Sequence, residues 1–152
     1  MSSIQVRRAL VDAAENFFAV DSIGALTGLP TLDAELVAWE NRFFDKGDNP
    51  LWASVFYIPN VPSPYSVSKG GLDLLSGYIQ IDFNVPLDSG EETMIAWESK
   101  AKSFFVPADN LVFEGQGVIL TEAGISAGRQ VENHYRKSFT VAFRSYLQRT
   151  SS

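Results

Sequence analysis

GYIQIDFNVPLDSGEETMIAWESKAKSFF, residues Gly77 to Phe105, is the stretch on which the fold turns. Its first half alternates strictly: Ile79, Ile81, Phe83 and Val85 point one way and Tyr78, Gln80, Asp82 and Asn84 the other, the period of a half-buried strand. Ser89-Gly-Glu-Glu92 then matches a capping box, in which the Ser89 hydroxyl takes an orphan amide of the first turn and Glu92 reaches back. Met94, Trp97, Ala101 and Phe104 follow on one helical face, and Pro107 stops the helix. A strand running through a capped turn into an amphipathic helix is a unit against which the other segments can be placed.

Upstream, Ser2 or Ser3 can cap a helix to about Val20, with Val6, Leu10, Ala13, Ala14, Phe17 and Phe18 at helical spacing. Arg7, Arg8, Asp12 and Glu15 read as its solvated side. Asp21 to Leu32 is a Gly- and Pro-bearing connector into a short strand at Glu35 to Trp39, and Asn41 to Pro50 a polar loop. Asp45 and Asp48 in that loop lack the ligand series and closing Glu of a calcium loop. Leu51 to Ile58, apolar almost throughout, reads as a central strand covered on both faces. The Pro- and Ser-rich tract from Pro59 to Leu74 is long for a connection inside a domain, and reads as an exposed arm with Tyr65 and Lys69 at its tip.

Downstream, LVFEGQGVILTE reads as a strand interrupted by a bulge at Gly115 and Gly117. A turn over Ala123 to Arg129 leads into a last segment where Val131, Tyr135, Phe139, Val141, Phe143 and Leu147 alternate with polar residues. This is one long strand or two parted by a bulge, with an end that projects beyond the sheet. His134 falls on its polar side between Glu132 and Arg136, as a surface histidine, and residues 148–152 read as a disordered tail. The expected fold class is α+β: a mostly antiparallel or mixed sheet of about four to five strands packed against two helices, with a long mobile loop over 59–74.

With 152 residues and 45% hydrophobic content, the chain fits one domain with its own core. No apolar run approaches a membrane span, and MSSIQVRR lacks the apolar region of a signal peptide, so a cytosolic site of synthesis is expected. The absence of Cys excludes disulfides and Cys-ligated zinc and fits a reducing compartment. A net charge of −6 opposes adsorption to phosphate backbones and argues against sequence-specific DNA binding. No nucleophile elbow, zinc helix motif or phosphate loop is present, and Glu91 and Glu92 are accounted for by the helix N-terminus. No catalytic residue, cofactor or metal site is expected, and the protein reads as a non-enzyme.

The order of these elements resembles the phage tail terminator family, the group that includes the lambda minor tail protein U. Three stretches carry the likeness: Val37-Ala38-Trp39-Glu40-Asn41, the Leu75 to Val85 strand with its turn and the helix ending at Phe104-Phe105, and the long closing strand. The resemblance implies a virion protein made in the host bacterial cytoplasm. It would assemble as a hexameric ring on the tail tube, stop tube growth, and present a surface to the head–tail connector while DNA passes through its lumen. Under it, the interface candidates are Pro59, Tyr65, Lys69 and Asp73 in or beside the arm, and His134, Arg136 and Arg144 along the last strand. Another neck, tail-completion or tail-tube protein is the nearest alternative; a cytosolic small-ligand binder with aromatics lining a pocket is the more distant one.

Overall fold

A computed structural model describes residues 3–19, 37–40, 52–66, 71–87, 92–107, 110–132 and 134–148. Helix α1 spans Ser3–Ala19 and α2 spans Glu92–Phe104. The strands are β1 Val37–Trp39, β2 Trp52–Pro59, β3 Ser63–Pro64, β4 Leu72–Pro86, β5 Asn110–Phe113, β6 Gln116–Ile125, β7 Arg129–Val131 and β8 His134–Gln148. They form one curled sheet, a half-barrel ordered β1-β2-β4-β8-β6-β5, with β3 paired to β4 and β7 to β8.

Among the described residues the chain is therefore mainly β, and the expectation of four to five strands against two helices is corrected to eight strands curled around two helices. Two local features account for the difference. The LVFEGQGVILTE run is a hairpin and not one bulged strand, because Glu114 and Gly115 both take positive φ, 50° and 83°. Two consecutive positive-φ residues give the type I′ turn whose twist matches that of the flanking strands. The bulge in this region falls later, between Leu120 and Glu122, and Ala123 to Ile125, expected as a turn, continue β6.

The second feature is the Pro59 to Leu74 tract. Ser63 and Pro64 pair with Leu74 and Asp73, and the Tyr65 and Ser66 amides both donate to the Leu72 carbonyl, at 2.9 and 3.1 Å. The described part of the expected mobile loop is thus a strand-bearing hairpin, with β4 already begun at Leu72. Lys69 lies outside the described residues, as do the Ser89 cap, the connector at 21–32, the loop at 41–50 and residues 149–152. Gln148, placed in the tail by the sequence reading, is paired with Leu72.

The core lies in the hollow of the sheet. Ile79, Ile81, Phe83 and Val85 of β4, Phe139, Val141 and Phe143 of β8, Val118 and Leu120 of β6, and Ala53 and Val55 of β2 face it. From α1, Val6, Leu10, Ala14 and Phe17 enter this space; from α2, Met94, Trp97 and Ala101 do so, followed by Phe105 just beyond the helix. Phe83 meets both helices, with ring centroids 6.5 Å from Phe17 and 5.6 Å from Trp97. Phe105 lies 6.1 Å from Phe139. Alternation along β4 aims one set of residues at the helices, and the central partners β2 and β8 repeat it in register. Both helices pack on the same face of the sheet, which leaves the other face without a helix among the described residues.

Candidate functional site

The helix-free face is built from the other half of each alternation. At one end it is closed by its own polar side chains. Asp82 and Asn84 are buried there at 4% and 0% exposure, although no helix among the described residues covers them. The Asp82 Oδ1 accepts from the Ser138 hydroxyl at 2.5 Å and from Gln80 Nε2 at 2.8 Å. Arg129, on β7, donates to the Ser138 hydroxyl at 3.1 Å, and the Ser138 amide donates to Ser126 Oγ at 3.0 Å. Asn84 Nδ2 donates to the carbonyls of Trp52 and Asp82, both at 3.3 Å, while its Oδ1 accepts from Arg136 Nε at 2.7 Å. The Arg136 guanidinium lies 5.9 Å from the Trp52 ring centroid, and His134 meets that ring edge-on, also at 5.9 Å. Pairing of this kind offsets the loss of water from buried polar atoms.

The other end is open. Tyr78, Gln80, Glu122, Gly124, Thr140 and Ala142 line a shallow groove of about 290 Å³. Further along β8 a second groove of about 340 Å³ includes Leu72, Asn110, Gln116, Arg144 and Tyr146 in its lining. Phe56 and Tyr78 on this face are each 37% exposed. Tyr65 packs edge-on against Tyr146 at 4.8 Å between centroids and stays 62% exposed.

The sequence-derived interface residues divide between the two ends. His134 and Arg136 belong to the closed end, where they pack with Trp52 and Asn84. Pro59, opposite Gly77, Asp73, opposite Leu147, and Arg144, opposite Ser76, gather with Tyr65 near the open end. At ~3.3 Å per residue, the eight steps from Arg136 to Arg144 put about 26 Å of strand between the two groups, so they do not form one site. Sequence reading missed the Asp82–Ser138–Arg129 network and the role of Gln116. The available signal was acid and amide residues at alternate positions of a strand otherwise rich in Ile and Phe. Between α1 and β2 a third, small pocket is lined in part by Arg7, Arg8, Trp39 and Tyr57. The buried Tyr57 hydroxyl has no hydrogen-bond partner among the described residues; burial pushes its pKa up, and the Arg7 charge pulls it part of the way back.

Among the described residues no group of three or more His, Asp or Glu could hold a metal ion, and no helix is long and apolar enough to cross a membrane. No family model matches the chain, and no curated protein matches it. Among the solved structures that match, one is similar at a TM-score of 0.72 and 14% identity, over 95% of this chain and 96% of that one; its name states no function. At that identity the likeness shows the fold alone.

Proposed function

We propose that the protein is a structural subunit of a phage tail, the terminator that caps the head-proximal end of the tail tube as a ring of copies and offers a surface for head joining. The observation that carries this reading is the one-sided packing of the sheet. Both helices occupy one face, while the other presents Phe56 and Tyr78 together with an open groove. A ring requires heterologous contacts, in which two different patches of each subunit meet, and the two separated groups of interface residues would supply such patches. Six copies would carry six times −6, or −36, a charge that lets DNA pass without adhering.

The test is mass measurement of the purified protein alone and with tail tubes, combined with electron microscopy of tubes. A ring seated at one tip of each tube, with growth stopped there, is the expected outcome. Incorporation along the tube would make the protein a tube subunit, and failure to associate with tubes at all would overturn the reading. Deletion of Ser66 to Gly71 is expected to impair termination or head joining; tails of normal length that still join heads would remove the arm from the interface.

A further inference from the structure

β8 is paired along its whole length on one side and only in part on the other. Toward β4 its ladder runs from Pro86↔His134 to Leu72↔Gln148. Toward β6 it stops at Ile119↔Arg144. Beyond that point the Tyr146 carbonyl takes a hydrogen bond from the Gln116 side chain, Nε2 to O at 3.0 Å, where a strand would have placed a backbone amide. The direction of this carbonyl fixes the rest. In an antiparallel strand the N–H and C=O of one residue point to the same side, so Tyr146 and Gln148 face away from β4 while Ser145 and Leu147 face it. The far side of β4 agrees, since its Leu72 and Ser76 carbonyls are taken by Tyr65, Ser66 and Asn60.

The groove of about 340 Å³ opens along this edge. Gln116 is 4% exposed and its Nε2 also bonds the Ser145 hydroxyl at 2.6 Å, which fixes the carboxamide and leaves a buried Oε1 with no donor among the described residues. An acceptor buried without a partner is costly. Arg144, exposed at the start of the edge, has no acidic partner among the described residues. Past Arg144, then, β8 has no strand partner on this side among the described residues, and a side chain takes the Tyr146 carbonyl where a strand would, beside an exposed cation.

We propose that the outer edge of β8 at Tyr146 and Gln148 accepts an added strand from a partner polypeptide, with an acidic side chain of that strand set against Arg144. Main-chain hydrogen bonds supply the attachment and the Arg144 contact the selectivity, the division of labour of strand addition. The inference goes beyond the tail reading and does not depend on it.

The test is titration of the isotope-labelled full chain with the blocked peptide acetyl-Thr-Val-Glu-Val-Thr-amide, followed by magnetic resonance. The Tyr146 and Gln148 amides and the Gln116 carboxamide are expected to shift and to exchange hydrogen more slowly. Replacing Glu in the peptide by Gln should weaken binding about two- to fivefold, as for an exposed ion pair, and Arg144→Gln should erase that difference. Gln148→Pro removes only an outward amide, so it should keep the fold and lose the peptide. Leu147→Pro, which removes an amide facing β4, should reduce the melting temperature. Absence of shifts at Tyr146 and Gln148 at millimolar peptide, or unchanged binding by a folded Gln148→Pro variant, overturns the proposal. Self-association through this edge that the peptide does not compete overturns it in favour of a second copy of the chain.

Discussion

Arg136 and Asn84 face each other across the β4–β8 ladder, and the guanidinium of the first holds the fully buried carboxamide of the second at 2.7 Å. The contact joins the two longest of the described strands, at the end where no helix among the described residues covers them. A hydrogen bond involving a charged group contributes about 1.5–3 kcal/mol, and losing it leaves a buried oxygen unpaired. Arg136→Leu is therefore expected to lower unfolding stability by about 2 kcal/mol in a urea titration. In a double-mutant cycle with Asn84→Ala, the combined loss should fall short of the sum by about 1 kcal/mol. Strict additivity would mean that the two side chains act independently.

At Gly77 the β2 backbone leaves no room for a side chain. A Cβ placed there would lie 2.4 Å from the Ile58 carbonyl oxygen and 2.7 Å from the Pro59 Cα, and the residue's φ of 156° is one that side chains disfavour. Neither contact is the movable end of a side chain. Gly77→Ala should cost more than about 2 kcal/mol, whereas Gly124→Ala, with no atom within 4 Å of the added carbon, should be nearly neutral by the same measurement.

Trp97 is fully buried and packs against Phe83, through which α2 is held to β4. Trp97→Ala removes the largest side chain of that contact, and a loss of about 3–5 kcal/mol is expected in denaturant unfolding. Trp97→Phe should recover most of it. Equal losses for both variants would show that α2 depends on its edges and not on this aromatic pair.

Tyr57 gives a pH dependence whose sign follows from its surroundings. Burial raises its pKa above the ordinary 10.0, so in alkaline solution the folded state keeps a proton that the unfolded state has released. Its contribution to stability is full below pH 10.0 and is lost as the pH rises through the folded-state value. Tyrosinate absorbance should show one of the five tyrosines titrating late, and Arg7→Gln should delay it further by removing the nearby positive charge. An earlier titration in Arg7→Gln would contradict this account.

Much of the local structure was legible because the pattern and the outcome depend on the same side chains. The apolar spacing of Val6 to Phe18 belongs to a helix that runs from Ser3 to Ala19, and the alternation from Ile79 to Val85 to a strand with one face in the core. The number of strands was not legible. The reversal at Glu114 and Gly115 needs two residues at positive φ, and only one of them is a glycine, so the run reads as continuous. β3 and β7 are too short for any periodicity and exist because β4 and β8 are long enough to hold them. The Asp82–Ser138 contact joins residues 56 positions apart, and no spacing rule reaches that far.

The β4–β8 seam also sets an order of events during folding. Its paired residues are separated by 48 positions at Pro86↔His134 and by 76 at Leu72↔Gln148. Closing a longer loop costs more chain entropy, and contacts distant in sequence form slowly. The β5–β6 hairpin can close early, and the seam then zips from the Pro86 end toward Gln148. The tip that carries Tyr146 and Gln148 is in this sense expected to be the last part of the sheet to be made and the first to fray. In native-state hydrogen exchange its inward amides should open at lower free energy than those beside Phe139.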